Sequence, residues 1–195
     1  MSRPTFYYHD HPVRAGGVIF FRFRKKRLQL LLIESKRGIE DIGGCSDAID
    51  TCSDDMVARE TDEETNQVVT KEEVHRLFKK KPVVHFYSKQ SKYLFHIIRA
   101  TKRIGRLTSD LFGDREYHDD IERSIGWVNY PFVDKKLQYR MKEWGLHKIL
   151  KAIEKGKPLS EFKLTDELPV NNRGKQKSDQ VLSGFAFRPV PKHKK

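Results

Sequence analysis

Apolar residues cluster along the chain in short runs that alternate with charged segments. Residues 15–23 and 28–33 are two such runs, separated by the four cations of residues 24–27, and this pattern predicts a β-hairpin. Residues 83–87 and 93–100 form a second pair of predicted strands around a polar turn. The stretch 93–100 is apolar at both odd and even positions, so we expect this strand inside a sheet that is covered on both faces.

The second half of the chain has apolar residues at the spacing of an α-helix. Apolar side chains recur at mostly helical spacing between residues 135 and 155, which predicts an amphipathic helix. They are Leu137, Met141, Trp144, Ile149, Leu150 and Ile153. Residues 125–128 predict one more strand ahead of this helix. A length of 195 residues fits one domain with its own core, and the alternation of elements predicts an α/β fold.

An acidic segment stands out within a basic chain. Residues 43–66 carry eight carboxylates and one arginine. On a helix, Glu60, Glu63 and Glu64 stand at i, i+3 and i+4, so their side chains converge on one face and repel one another. Hard divalent cations such as Mg²⁺ or Mn²⁺ relieve such repulsion because they prefer oxygen ligands. The alternative interpretation is a solvated acidic helix face that binds no metal.

The order of residues in this segment resembles the signature of the Nudix hydrolase family, over residues 44–67. Five residues match it outright: Gly44, Arg59, Glu60, Glu63 and Glu64. Asp50 has the position of the lone acid in the signature, with five residues between it and Gly44. Eight residues lie between Asp50 and Arg59, where the signature has seven. Thr61 replaces the usual aliphatic residue and Asn66 replaces the last glycine. Asn tolerates a left-handed backbone, so we expect this last change to be mild.

The resemblance implies a fold, a metal site and a structural pair. The fold is an α/β/α sandwich with a mixed central sheet. The implied metal ligands are the carboxylates of Glu60, Glu63 and Glu64 and the carbonyl oxygen of Gly43, with Mg²⁺ or Mn²⁺ as cofactor. Gly44, Asp50 and Arg59 take structural roles, and the last two are implied to form an ion pair.

The residue that activates the attacking water is left open by the resemblance. Any of Glu60, Glu63 and Glu64 is a candidate, and so is an acid from a later loop. That loop is implied to lie in residues 113–123, where Glu116, Asp120 and Glu122 are the candidates and Glu116 is favoured. His118 in the same loop is a candidate for proton transfer, because imidazole titrates near neutrality.

The distribution of charge indicates an anionic partner. Residues 44–66 have a net charge of −7, so the total of +12 leaves +19 on the rest of the chain. We expect phosphate contacts from Arg22 and Arg24, which flank Phe23, and from Lys79 and Lys81. Residues 171–195 form a further basic stretch, which we expect to bind RNA or to serve as a targeting or partner-binding arm. The alternative is a basic surface without a specific partner.

The implied activity is hydrolysis of a phosphoric anhydride bond in a nucleoside diphosphate-linked compound. The surplus of positive charge favours the 5′ cap of RNA, and thus decapping, as the first substrate to test. The alternatives are a nucleoside triphosphate, ADP-ribose, a dinucleotide or an inositol pyrophosphate. A Nudix-fold module that binds RNA or a nucleotide without cleaving it is the alternative from another functional class.

The remaining expectations concern organisation and location. We expect an N-terminal segment at residues 1–13, a catalytic domain at 14–157 and a basic tail at 158–195. No apolar run approaches the length of a membrane span and no signal-peptide core is present, so we expect a cytoplasmic protein without a membrane partner. Cys45 and Cys52 are expected to be reduced thiols. The sequence pattern leaves the oligomeric state open.

Overall fold

The computed structural model describes residues 3–118, 120–133, 135–164 and 187–189, of which 163–164 and 187–189 are described by their backbone alone. The strands in this part of the chain are β1 (Phe6–Tyr8), β2 (His11–Val13), β3 (Ala15–Arg24), β4 (Arg27–Ser35), β5 (Gly38–Glu40), β6 (Ile42–Cys45), β7 (Val83–Ser88), β8 (Tyr93–Arg99), β9 (Arg115–Glu116), β10 (Ile121–Glu122), β11 (Ser124–Asn129), β12 (Phe162–Leu164) and β13 (Phe187–Pro189). The α-helices are α1 (Ser53–Glu64), α2 (Lys71–Lys80) and α3 (Trp144–Glu154). Residues 165–186 and 190–195, most of the predicted basic tail, lie outside the described residues.

A seven-stranded mixed sheet forms the centre of the fold. Its main order is β11-β4-β3-β8-β7, with β5 paired to β4 and β6 paired to β3. The pairing of β3 with β8 is parallel and the other pairings in this sheet are antiparallel. Both predicted strand pairs are therefore confirmed, and β8 lies inside the sheet with six of its seven residues buried.

Helices cover both faces of this sheet. Alternate side chains of a strand point to opposite faces. His85 on β7 contacts the ring of His96 on β8, which stacks on Phe78 of α2, so these side chains face the layer of α1 and α2. The next residue, Phe86, faces α3, where Gly145 lies against its ring. The fold is thus an α/β/α sandwich with a mixed central sheet, as the sequence predicted.

Close contact between α1 and the sheet positions the acidic residues. The apolar side chains of Met56, Val57 and Ala58 are fully buried under the helix. A methyl group at Gly16 of β3 would come within 2.9 Å of the Met56 and Val57 side chains. The absence of a side chain at Gly16 therefore lets α1 approach the sheet, which fixes the height of its acidic face above β3 and β6.

The helix predicted over residues 135–155 is shorter in the structure. α3 begins at Trp144 rather than near residue 135. Leu137 instead bridges to Ile39, and the Ile39 amide donates to the Lys136 carbonyl, which holds this stretch extended. Met141 is buried within a short 3₁₀ turn, Tyr139–Lys142. Leu137 and Met141 thus bury apolar groups at helical spacing without forming a helix.

Helix α2 is absent from the elements predicted by the apolar pattern. The buried apolar residues of this helix are Val74 and Leu77, too few for a clear helical period. Its start does carry a sequence signal, because the Thr70 hydroxyl accepts a hydrogen bond from the Glu73 amide. Threonine followed three residues later by glutamate is the capping-box pattern, and this pattern could have located the helix.

Candidate metal and phosphate site

Arg59 holds the loop after β6 against helix α1. Its guanidinium donates to both carboxylate oxygens of Asp50, at 2.8 and 3.0 Å, and to the carbonyl oxygen of Cys45 at 2.8 Å. It also donates to Glu60 at 2.9 Å and to Glu63 at 2.6 Å. The ion pair between Arg59 and Asp50 that the sequence implied is therefore present, despite the extra residue in the loop.

These bonds determine the protonation state of Arg59. Burial alone would lower its pKa, but the bond to Asp50 and the charges of Glu60 and Glu63 outweigh burial and raise the pKa above its ordinary value. The side chain is thus a permanent cation with three carboxylate partners. Its hydrogen bonds to Glu60 and Glu63 orient both carboxylates on α1.

Glycines in β6 let the Glu60 carboxylate approach the main chain. Gly43 and Gly44 pair with Gly17 and Gly16 of β3 in the antiparallel register. A side chain at Gly44 would overlap the carboxylate of Glu60, and one at Gly43 would overlap the carbonyl oxygen of Gly16. The backbone of residues 43–44 is therefore directly accessible to a group held by α1.

The acidic residues of several elements surround one cavity of about 560 Å³, which we call the acidic cavity. Its lining combines five glutamates with the backbone of β6 and the side chain of Arg59. The glutamates are Glu40, Glu60, Glu63, Glu64 and Glu116. The predicted site residues Gly43 and Gly44 also line it, as does His118, while Asp50 lies behind Arg59.

Burial and crowding shift the ionisation of two of these glutamates. Burial raises the pKa of Glu60 to about 7, against the opposing effect of Arg59, with Glu63 adding repulsion. Burial also raises the pKa of Glu64 to about 8, and the charge of Glu116 adds to the shift while Arg123 opposes it. A group of carboxyls whose ionisation is suppressed in this way gains stability when a cation enters among them.

The three candidate acids of the later loop differ in position. Glu116 is buried, with 5% of its surface exposed, and lines the acidic cavity. Asp120 is an exposed partner of Arg115, and Glu122 is an exposed partner of Lys36. The structure thus brings the favoured candidate, Glu116, to the other glutamates and places the other two on the surface.

Asn66 holds this loop in place. Its backbone is left-handed, with φ of 50°, where the Nudix signature has glycine. Its amide nitrogen donates to the carbonyl oxygens of Phe112 and Arg115, each at 2.8 Å, and its side-chain oxygen accepts from the Tyr117 amide at 3.0 Å. The departure from glycine therefore adds three bonds that fix Glu116 next to α1.

Sequence reasoning missed a group of polar residues beside the glycine pair. Arg140 donates to Asp41 at 2.7 Å and to Glu40 at 2.9 Å, and the Tyr93 hydroxyl donates to Asp41 at 2.6 Å. Arg37 donates to Glu40 at 3.1 Å. Two adjacent acids, with one apolar residue between them and the glycine pair, were a detectable signal. Arg140 offered no local signal, because it reaches this site from a segment that is 99 residues away.

The predicted phosphate-binding cations lie elsewhere in the described part of the chain. Arg22 lies over the Trp127 ring at 4.1 Å and, with Arg24, lines a separate groove of about 640 Å³. Lys81 lines a third cavity, and Lys79 is exposed on α2. None of these four residues lines the acidic cavity, whose rim cations are Arg3, Arg37 and Arg140.

The glutamates of the acidic cavity are spread more widely than the ligands of one bound ion. Within the described residues, one set of three potential metal ligands has its ligand atoms within 4.8 Å of one another, and it consists of Asp54, His85 and His96. Glu60 and Glu63 are instead directed to Arg59. The predicted ligands Glu60, Glu63, Glu64 and Gly43 thus share a cavity without forming a closed coordination shell.

The chain is similar to solved structures at low sequence identity. The sequence matches no family model and no curated protein. Among solved structures, the chain resembles NrtR of Shewanella oneidensis in complex with a 27mer DNA, at 15% identity and a TM-score of 0.40, over 76% of this chain and 64% of that one. It also resembles a C. elegans Ap4A hydrolase in a binary complex, at 16% identity and a TM-score of 0.39, over 74% of this chain and 96% of that one.

The chain thus spans 64% of the length of the NrtR chain. Identities and TM-scores this low leave the geometry of the site as the basis for a functional assignment. Among the described residues, no helix combines the length and the apolar character that crossing a membrane requires.

Proposed function

We propose that this protein is a divalent-cation-dependent hydrolase of phosphoric anhydride bonds, of the Nudix type. The observation that carries the proposal is the acidic cavity, in which five glutamates from three segments of the chain surround the bare backbone of Gly43 and Gly44. Arginines pair with Glu40, Glu60 and Glu63. The charge of Glu116 raises the pKa of Glu64, and a cation between these two carboxylates would relieve their repulsion. The Nudix resemblance of residues 44–67 supports the same assignment independently of the geometry.

The residues of the cavity fit Mg²⁺ or Mn²⁺. The donors are carboxylate and carbonyl oxygens, which hard cations prefer, and a cation among them would oppose the burial and the carboxylate repulsion that raise the pKa values of Glu60 and Glu64. Glu60, Glu63, Glu64 and the Gly43 carbonyl would hold the cation once the carboxylates of Glu60 and Glu63 turn from Arg59 toward it. A bound cation of this kind neutralises charge on phosphate oxygens and lowers the pKa of a water molecule.

The protein's own groups would complete the reaction. Glu116 lies on a different element from the other candidate acids and is close enough to raise the pKa of Glu64. We propose that a carboxylate oxygen of Glu116 accepts the proton of the attacking water. The water oxygen forms a bond to phosphorus, the bond from phosphorus to the bridging oxygen breaks, and the leaving phosphate takes the electron pair. Arg59 would position Glu60 and Glu63 during this step.

A nucleoside diphosphate-linked compound is the proposed substrate class, and capped RNA is the member to test first. The surplus charge of +19 outside residues 44–66 favours a polyanion. The groove of Arg22 and Arg24 also contains Phe23, Arg106 and Trp127, a combination of cations and aromatic rings that suits single-stranded RNA. Nucleoside triphosphates, ADP-ribose, dinucleotides and inositol pyrophosphates remain the alternative substrates.

A substrate panel with products identified by mass tests the proposal. The wild-type chain is incubated with each compound in Mg²⁺, in Mn²⁺ and in a chelator. We expect cation-dependent cleavage that falls roughly 100-fold or more in Glu63→Gln and Glu64→Gln. Glu154→Gln, an exposed glutamate at the end of α3, is the matched control and should retain full activity.

The same panel separates hydrolysis from binding alone. The bonds from Arg59 to Glu60 and Glu63 favour the alternative of a non-catalytic binding module, because they compensate the charge of two of the acids without a metal. A binding module would retain RNA or nucleotide yet release no product in any metal. Background product from wild type and both variants, across the full panel, would contradict the proposed hydrolase.

A further inference from the structure

A second group of metal-ligand side chains lies at the opposite end of α1 from Glu64. It consists of Asp54 in the first turn of α1, His85 on β7 and His96 on β8. One nitrogen of each imidazole and one carboxylate oxygen lie within 4.8 Å of one another. Ligand atoms around a tetrahedral Zn²⁺ are about 3.3 Å apart, so modest rotations of these side chains would bring them to one ion.

The sheet register brings the two imidazoles together. His85 and His96 are directly paired residues of the antiparallel strands β7 and β8, so their side chains point to the same face. Their ring centroids are 4.6 Å apart, and the rings meet edge to face. His96 also stacks on Phe78 of α2 at 4.8 Å, which restricts the orientation of its ring.

The hydrogen bonds of His96 are incomplete. Its Nε2 atom lies 3.0 Å from an Asp54 carboxylate oxygen. Its side chain is fully buried, and its Nδ1 atom has no hydrogen-bond partner among the described residues. Buried polar atoms are nearly always paired in folded proteins, so the unpaired nitrogen of this buried ring indicates a missing partner. The second imidazole and the carboxylate lie against the same ring.

Access and charge are also suitable for a cation. The Asp54 side chain is half exposed, which opens the group to solvent. The carboxylate of Asp54 supplies negative charge to the group, and imidazole is a common ligand of transition-metal ions. His75 and His9 lie close enough for their charge to influence Asp54 and His85 respectively, and both are further imidazoles at the edge of the group.

We propose that Asp54, His85 and His96 bind a transition-metal ion of the Zn²⁺ class, with water in the remaining position. Two nitrogen donors and one oxygen donor favour Zn²⁺, Co²⁺ or Ni²⁺ over Mg²⁺, whereas the acidic cavity offers oxygen donors alone. The ion would tie the first turn of α1 to β7 and β8. It would therefore stabilise the helix that carries Glu60, Glu63 and Glu64, without taking part in hydrolysis.

Metal titration of the full-length chain without an affinity tag tests this site. Zn²⁺ binding is measured by calorimetry in excess Mg²⁺, which saturates an oxygen-only site, and Co²⁺ binding is followed by its visible spectrum. We expect one Zn²⁺ equivalent, with affinity reduced at least tenfold in His85→Gln and in Asp54→Asn. X-ray absorption at the zinc edge should report two imidazole nitrogens. His96 is not substituted, because its burial makes unfolding a competing explanation.

Three control variants make the result specific. His118→Gln removes a histidine of the acidic cavity, and Glu63→Gln and Glu64→Gln remove cavity glutamates, so all three should leave the Zn²⁺ affinity and the Co²⁺ spectrum unchanged. Equal losses in His118→Gln and His85→Gln would show general binding to histidines and overturn the proposal. Absence of Zn²⁺ binding by the folded wild-type chain, or a spectrum sensitive to Glu63→Gln rather than His85→Gln, would overturn it as well.

Discussion

At the scale of single residues, Asn66 shows how a departure from a sequence signature can be compensated. The position requires a left-handed backbone, which glycine adopts without strain and asparagine adopts at small cost. In return, the Asn66 side chain bonds to three backbone groups of the loop that carries Glu116. Asparagine thus performs two tasks here, the turn at the end of α1 and the attachment of the later loop.

Replacing Asn66 should separate these two tasks. Asn66→Gly keeps the backbone conformation and loses the side-chain bonds, so we expect a loss of about 1–2 kcal/mol in the free energy of unfolding. Asn66→Ala loses the bonds and adds left-handed strain, so it should lose about 1 kcal/mol more. Urea unfolding measures both variants. Equal stability of Asn66→Gly and wild type would mean that the three bonds contribute nothing.

Burial of Glu143 should make the stability of the protein depend on pH. It lies just before α3 and accepts a hydrogen bond from Ser88, yet burial raises its pKa above the ordinary value. A raised folded-state pKa adds stability below the unfolded-state pKa, and that contribution is lost as pH rises through the folded-state pKa. Glu143→Gln keeps an acceptor for Ser88 without the charge. We therefore expect the variant to be more stable than wild type at pH 7.5, by up to about 1 kcal/mol.

The pH dependence of this gain is the informative measurement. At pH 4 the wild-type Glu143 is protonated in the folded state, so the difference between variant and wild type should shrink toward zero. Urea unfolding of both proteins at the two pH values tests this expectation. A gain of the same size at both values would show that the effect arises from packing and not from the buried charge.

At the scale of elements, the position of α1 depends on α2 as well as on the sheet. Thr70 caps α2 through the Glu73 amide, and Lys71 at the start of α2 forms an ion pair with Asp55 of α1 at 2.7 Å. The Lys71 amide also donates to the Asp62 carboxylate of α1 at 3.0 Å. The short helix that sequence periodicity missed therefore holds both ends of the acidic helix.

Removing the cap of α2 should weaken this support. We expect Thr70→Ala to lower the free energy of unfolding by about 0.5–2 kcal/mol, the usual cost of losing a threonine cap. Thr108→Ala is the matched control, because Thr108 precedes a short 3₁₀ turn without a side-chain cap bond and should change stability by no more than about 0.5 kcal/mol. Equal losses in the two variants would argue against a specific role for the cap.

At the scale of the whole molecule, the sequence predicted what depends on local pattern. Continuous apolar runs located β3, β4, β7, β8 and β11, and the spacing of Glu60, Glu63 and Glu64 located the acidic face of α1. The structure added what depends on contacts between distant segments. Arg140 reaches Asp41 across 99 residues, and His96 meets His85 through strand register, so neither contact leaves a mark in local sequence.

The separation of charge across the molecule leads to a prediction about salt. Acidic groups are concentrated around one cavity, while Arg22, Arg24 and Arg106 line the groove with Trp127. If RNA occupies this groove, its affinity should fall steeply with salt, because each neutralised phosphate releases counterions. Arg24→Gln and Arg106→Gln should each reduce the slope of log affinity against log salt by roughly 1.

The controls for this prediction distinguish the groove from the remaining basic surface. Lys89→Gln removes an exposed cation in the turn between β7 and β8, outside the groove, and should leave the slope unchanged. Deletion of residues 171–195 tests the basic tail, and weaker retention of RNA with unchanged turnover would assign the tail to binding alone. Equal slopes for wild type, Arg24→Gln and Arg106→Gln would place the RNA elsewhere. Removing an arginine that contacts no phosphate does not change the number of counterions released on binding.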